Sequence, residues 1–232
     1  MRCFYCEKIS LEGIELASSE LAHIFNILRL KEGEEILLND CKGTLAIAKI
    51  AGNKKIIPIE VRKIAEPQTK VFLFVSPPRK QQLDQIITQC CEVGVWSINL
   101  IKTERSVSVP EGRDEKIERW QTKIIEACKQ SHNPYAPKIF PPITFDEALK
   151  KVKNENLTAF FGATSSGEKR SGYSIPGGTA WFVGPEGGFS QKEQSTMIEN
   201  NFIPLMLGNW IMRVETAAVV GTAFLQEMLC HS

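Results

Sequence analysis

The spacing of apolar and polar positions changes character near residue 65. Before that point the apolar runs are short and strand-like. Arg2–Ile9, Glu35–Asn39, Thr44–Ile50 and Ile56–Ile64 are expected as strands, with glycine closing a hairpin turn over Asp40–Gly43. Leu21, Ile24, Phe25 and Leu28 share one face of a short helix expected over Ser18–Leu30, with Ser18 or Ser19 as its N-cap. The polar, proline-bearing stretch AEPQTK, residues 65–70, reads as a linker.

After the linker, compact apolar runs alternate with helical periodicity. Strands are expected at Val71–Val75, Ile98–Ile101, Leu157–Phe161, Ala180–Val183 and Phe202–Leu207. Helices are expected at Gln81–Val93, Asp114–Gln130, Phe145–Lys153, Gln191–Asn200 and Thr216–Leu229. Such alternation implies an α/β fold with a parallel sheet covered on both faces. Residues 162–178, GATSSGEKRSGYSIPGG, read as one long loop.

Composition narrows the class. With 232 residues, 43% hydrophobic and 24% charged, the chain is one large or two modest globular domains. It has no apolar run of membrane-spanning length and no secretory-type N-terminus, so no membrane role is expected. Its seven cysteines are expected to be reduced thiols of a cytoplasmic protein. A net charge of +1 argues against binding nucleic acid by bulk charge; any RNA contact would need a local patch or a shaped site.

Two glycine-bearing stretches carry the candidate chemistry. FVGPEGGFSQKE, residues 182–193, places a glycine loop between a buried strand and a helix. Glycine there suits either a tight turn or a backbone lying close against a ligand. LGNWIMRVETAA, residues 207–218, repeats the strand, glycine, loop, helix order and puts Arg213 and Glu215 just before an apolar helix. In open α/β sheets ligands sit beyond the carboxyl ends of strands, so the two loops could share one pocket. Arg105, in KTERSV after a third strand, has the planar fork that clamps anions, although an exposed ion pair is the plainer reading. Cys3 and Cys6 have CxxC spacing but no second pair, and no metal is expected. Cys90 and Cys91 fall in a helix, where burial is the usual fate. There is no Walker loop and no GxGxxG opening the α/β part.

Four stretches, CEVGVWSINLIKTERSV (91–107), KIERWQTKIIEACKQS (116–131), FVGPEGGFS (182–190) and LGNWIMRVETAA, taken in order, resemble the RsmE-type ribosomal small-subunit RNA methyltransferases. These form a branch of the knotted SPOUT superfamily. HIFNILRLKEGEEILLNDCKG (23–43) is similar to that family's PUA-like RNA-binding domain. The resemblance covers nearly the whole chain. It implies a PUA-like β-barrel over 1–66 and, over 70–232, a methyltransferase domain with a deep trefoil knot. It further implies a homodimer that methylates N3 of a uridine in 16S rRNA; the near-neutral charge of the chain points to the assembled small subunit as the substrate.

The implied methyl donor is S-adenosylmethionine, held in the knot loops. Carried onto this chain, its walls would be Phe161 and Gly162; Val183, Gly184, Pro185, Glu186, Gly187 and Gly188; and Leu207, Gly208, Ile211, Met212, Thr216 and Ala217. Arg213 or Arg105 would steady the uracil carbonyls or a phosphate, with Glu186 or Glu215 orienting them. His23, Arg29, Lys42 and Arg105 are the candidate RNA contacts. The chain departs from the family pattern at Trp210, which replaces an arginine, at Val214, which replaces a threonine, and at Asn133. A different knotted RNA methyltransferase, acting on ribose 2′-OH or on tRNA, and a non-catalytic assembly factor are the competing readings.

Overall fold

The computed structural model describes residues 1–107, 114–163 and 178–230. Residues 164–177, most of the expected long loop, lie outside the described residues. Contacts divide the chain into two units: residues 1–66 with 125–136, and residues 67–124 with 137–232.

In the first unit, β1 (Cys3–Tyr5), β4 (Glu35–Asn39), β5 (Thr44–Ala51) and β6 (Lys55–Lys63) form one sheet in that order, while β2 (Lys8–Ile9) pairs with β3 (Ile14–Glu15). The strand expected over Arg2–Ile9 is therefore broken. At the break Cys6 is fully buried, and its Sγ donates to the carbonyls of Lys8 at 3.2 Å and Glu15 at 3.3 Å. That bonding gives the second cysteine of the CxxC a structural task. Gly43 closes the β4–β5 turn with φ of +106°, a conformation that favours glycine. Phe4, Ile24, Ile36, Leu38, Ala46, Ala48 and Ile50 form the core.

The helix expected over Ser18–Leu30 is in fact two short pieces, α1 (Ser18–Ala22) and a π-helical turn at His23–Ile27. The N–H of Leu28 reaches back five residues to the His23 carbonyl at 2.9 Å. Neither serine caps the helix; the N-cap position is Ala17, with no side-chain bond. Arg29 then takes φ of +51° and ends the segment.

Residues 125–136 belong to this unit through specific bonds. The Asn39 side chain donates to the Asn133 carbonyl at 2.8 Å, and the Tyr135 hydroxyl donates to the Ile64 carbonyl at 2.6 Å. Lys129, its side chain 10% exposed, pairs with Glu20 at 2.7 Å.

The second unit is the expected parallel sheet, six-stranded. Its order is β12 (Ile203–Leu205), β10 (Thr158–Gly162), β11 (Thr179–Val183), β7 (Val71–Val75), β8 (Ser97–Lys102), β9 (Lys138–Thr144). The helices are α2 (Lys80–Glu92), α3 (Asp114–Ser131), α4 (Phe145–Asn154), α5 (Gln191–Glu199) and α6 (Val214–Cys230), with α3 running from this unit into the first. Strand β9, KIFPPIT, escaped the sequence reading because of Pro141 and Pro142. It lies at the sheet edge, where a strand tolerates missing N–H donors.

Alternation along the strands sends Ala180 and Phe182 to one face, packed with Ala148 and Val152 of α4 and Met197 of α5. The other face carries Trp181, whose indole N–H donates to the Ala217 carbonyl of α6 at 3.0 Å. Cys90 and Cys91 of α2 are fully buried, and burial pushes the Cys90 thiol up to about 12, so Cys90 lacks the thiolate character of a nucleophile.

Helix α4 begins with a reciprocal cap between Thr144 and Glu147. Thr144→Ala is expected to lower stability by about 1 kcal/mol, read as a shift in the urea midpoint. An unchanged midpoint would mean the first turn frays without cost.

Candidate active site at the carboxyl ends of the sheet

The sheet order decides which loops meet. Strands β12, β10 and β11 are consecutive neighbours and parallel, with Phe161 in register with Phe182 and with Pro204. The glycine loops after β11 and β12 thus follow strands separated by β10. The end of β10 lies between them, and its Phe161 and Gly162 form the middle wall. Just beyond, the Ala163 N–H donates to the Leu205 carbonyl at 3.1 Å.

After β11 the chain turns tightly. Val183 and Pro185 are buried, and the Gly188 N–H donates to the Pro185 carbonyl at 2.8 Å. Glu186, Gly187 and Gly188 form the exposed rim. A Cβ on Gly184 would sit 3.0 Å from the Phe189 nitrogen and 3.2 Å from the Gly188 carbon. Gly188 has φ of +66°, a left-handed conformation costly for other residues. At Gly187 and Gly188 the loop therefore exposes backbone rather than side chains, as close contact with a flat ligand requires.

After β12, Leu207 and Gly208 are half-buried, and the Met212 methyl closes over Gly208, 3.3 Å from where a Cβ would stand. Trp210 and Ile211 are 86% and 85% exposed. Arg213 is exposed, and its carbonyl accepts the Ala217 N–H at 2.8 Å as α6 begins. Glu215 and Thr216 line a groove of about 420 Å³ between α2 and α6, together with Gln85, Gln89, Glu92, Val93, Val219 and Val220. That groove contains none of the residues of the GPEGG loop.

Arg105 stands in the turn after β8. Its guanidinium donates to the Gly187 carbonyl at 2.9 Å, and a Cβ on Gly187 would meet its Cδ at 3.5 Å. The plain surface ion pair is thereby replaced by a bond to the glycine loop. Three groups missed in the sequence fix this turn. The Thr103 N–H donates to Ser106 Oγ at 2.9 Å, and Ser106 Oγ lies 2.8 Å from Ser76 Oγ. The Glu104 N–H donates to Glu193 at 2.8 Å. Ser190 and Glu193 form a capping box, and the Ser-x-x-Glu spacing that announces one was present in the sequence.

Of the RNA-contact candidates in the first unit, His23 opens the π turn, half-buried and edge-on to Phe4 at 6.0 Å. Arg29 is exposed on its left-handed residue, and Lys42 is exposed on the β4–β5 turn. Among the described residues no group of three or more His, Cys, Asp or Glu could hold a metal ion, and no helix is long and apolar enough to cross a membrane.

Residues 65–226 match the family described as RNA methyltransferase domain, and residues 16–61 match the RNA methyltransferase PUA domain. A Borreliella burgdorferi protein named ribosomal RNA small subunit methyltransferase E 2 is 30% identical, over 89% of this chain and 88% of that one. This chain belongs to the methyltransferase E family. A solved member from Neisseria gonorrhoeae, bound to S-adenosyl methionine, superposes with a TM-score of 0.83 over 98% of both chains at 28% identity. A Legionella pneumophila structure described as a methyltransferase with bound cofactor gives 0.82 over 97% of both, at 25% identity. Family membership makes the chain an RNA methyltransferase. The parallel sheet and the N-terminal PUA domain agree with the expected fold class.

Proposed function

We propose that this chain transfers the methyl group of S-adenosylmethionine to N3 of one uridine of 16S rRNA, with the small ribosomal subunit as substrate. The observation that carries the reading is the meeting of the three walls, after β10, β11 and β12, with Arg105 fastened across the middle loop. The cofactor supplies an activated methyl group. The cradle fits it: nothing stands within 4 Å of where a Cβ on Gly188 would be, and the rim at 186–188 offers backbone groups.

The uracil N3 proton is weakly acidic, and transfer is helped by cations that hold the charge growing on the uracil oxygens. Arg105 uses one guanidinium N–H on Gly187, and an arginine has five. Arg213, exposed beyond the third wall, is the second cation and is assigned to phosphate or uracil. The walls align the methyl with its acceptor, which is a large part of such a barrier. The fold proposed around them carries the trefoil knot, and the working form is a cytoplasmic homodimer. In the first unit, His23, Arg29 and Lys42 are assigned to RNA contact.

Small subunits lacking the modification, incubated with labelled S-adenosylmethionine, should yield label in 3-methyluridine at a single 16S site. Label in a 2′-O-methylated nucleoside, or none despite cofactor binding, would overturn the N3 assignment. Arg213→Ala is expected to raise KM for the subunit about tenfold and leave cofactor affinity unchanged, the pattern of a lost phosphate contact. Full turnover with unchanged KM would remove Arg213 from the site.

A further inference from the structure

Glu193 is a buried carboxylate with two backbone partners, 7% exposed. One oxygen accepts the Ser190 N–H at 2.8 Å, which is the ordinary work of a capping box. The other accepts the Glu104 N–H at 2.8 Å, from a residue 89 positions away, on the turn after β8. Capping explains the first bond and not the second. Glu104 is the immediate neighbour of Arg105, and Arg105 is bonded in turn to Gly187. Gly187 lies three residues before Ser190. A closed circuit results: Glu193 to the Glu104 amide, along the backbone to Arg105, across to the Gly187 carbonyl, and through the loop to Ser190 and back.

We propose that Glu193 is a positioning residue for Arg105, fixing the arginine-bearing turn and the GPEGG loop in a single relative orientation. The role rests on the methyl-transfer reading for its consequence, and on the geometry alone for its existence. A carboxylate suits it. Each oxygen receives one N–H, the bonds are charge-assisted, and the group is shielded from water, so the turn has little freedom to swing. An arginine side chain is long and rotamer-rich. Fixing its backbone and one of its donors reduces what must be ordered when substrate arrives. The hydroxyl set of Ser76, Thr103 and Ser106 braces the turn from its other side.

Two measurements test this. Amide hydrogen exchange by NMR reads the geometry directly. In Glu193→Ala both N–H groups lose their acceptor, and the Glu104 amide should exchange at least tenfold faster while β7 and β11 amides keep their protection. Unchanged exchange at Glu104 would overturn the proposal. Kinetics read the consequence. Glu193→Ala should lower kcat by about the same factor as Arg105→Ala, with KM for the subunit little altered. The double variant should be no slower than the worse single, because both break one circuit. Multiplying losses would overturn the positioning role. Ser190→Ala removes the hydroxyl that receives the Glu193 N–H and leaves the Glu104 bond in place. It should keep most of kcat; a loss equal to that of Glu193→Ala would reduce Glu193 to a helix cap. Faster Glu104 exchange in a protein whose unaltered form transfers no methyl would keep the clamp and refute the methyl-transfer reading instead.

Discussion

Gly221→Ala is expected to cost about 3 kcal/mol and to lower Tm by roughly 6–12 °C, the largest loss of stability from any single added methyl group considered for this chain. A Cβ at Gly221 would stand only 2.2 Å from Cε2 of Trp181 and 2.3 Å from its Nε1. The indole cannot step aside. It is fully buried, and its N–H is committed to the Ala217 carbonyl one helical turn earlier on α6. Its far edge already lies 3.5 Å from where a Gly162 Cβ would be, at the middle wall of the candidate site. Displacing Trp181 therefore costs packing beneath α6 and pushes toward Phe161 and Gly162. Thermal melts should show the loss, and cofactor affinity should fall with it. An unchanged Tm would mean that α6 shifts as a body and carries the indole with it.

The contrast between Trp181 and the glycine loops shows what the sequence could and could not convey. The apolar run Ala180–Val183 announces a buried strand, and every residue of β11 is buried. Nothing local says that Trp181 rests on a glycine 40 residues later, because that contact depends on where α6 crosses the sheet. The parallel sheet was legible from alternation alone, save β9, where Pro141 and Pro142 hide an edge strand. The π turn at His23–Ile27 was not legible, since its apolar spacing matches an ordinary helix. The glycine motifs were legible from composition as loops of either a tight turn or ligand-facing backbone, and only the family resemblance favoured the second. Which loops touch was fixed by the strand order β12, β10, β11, a long-range property. Arg105 was legible as an anion clamp by type; its bond to Gly187 and its tether to Glu193 span more than 80 residues and leave no local trace.

Arg105→Ala is expected to lower kcat about 10²- to 10³-fold while the protein stays folded. The side chain is exposed, so its removal leaves no cavity and should change stability by well under 1 kcal/mol. What disappears is a fixed cation and the donor to the Gly187 carbonyl, both beside the loop that would carry the cofactor. If Arg105 chiefly steadies charge on the uracil, kcat falls and the dissociation constant for S-adenosylmethionine, read by calorimetry without RNA, stays within about threefold. If it chiefly props the GPEGG loop, affinity falls together with kcat. Arg105→Lys separates the two further. Lysine keeps the charge and loses the planar fork, so it should restore part of the rate under the first role and little under the second, where the geometry of the bond to Gly187 matters. Turnover at the unaltered level in Arg105→Ala would remove this residue from the chemistry and leave Arg213 as the cation of the site.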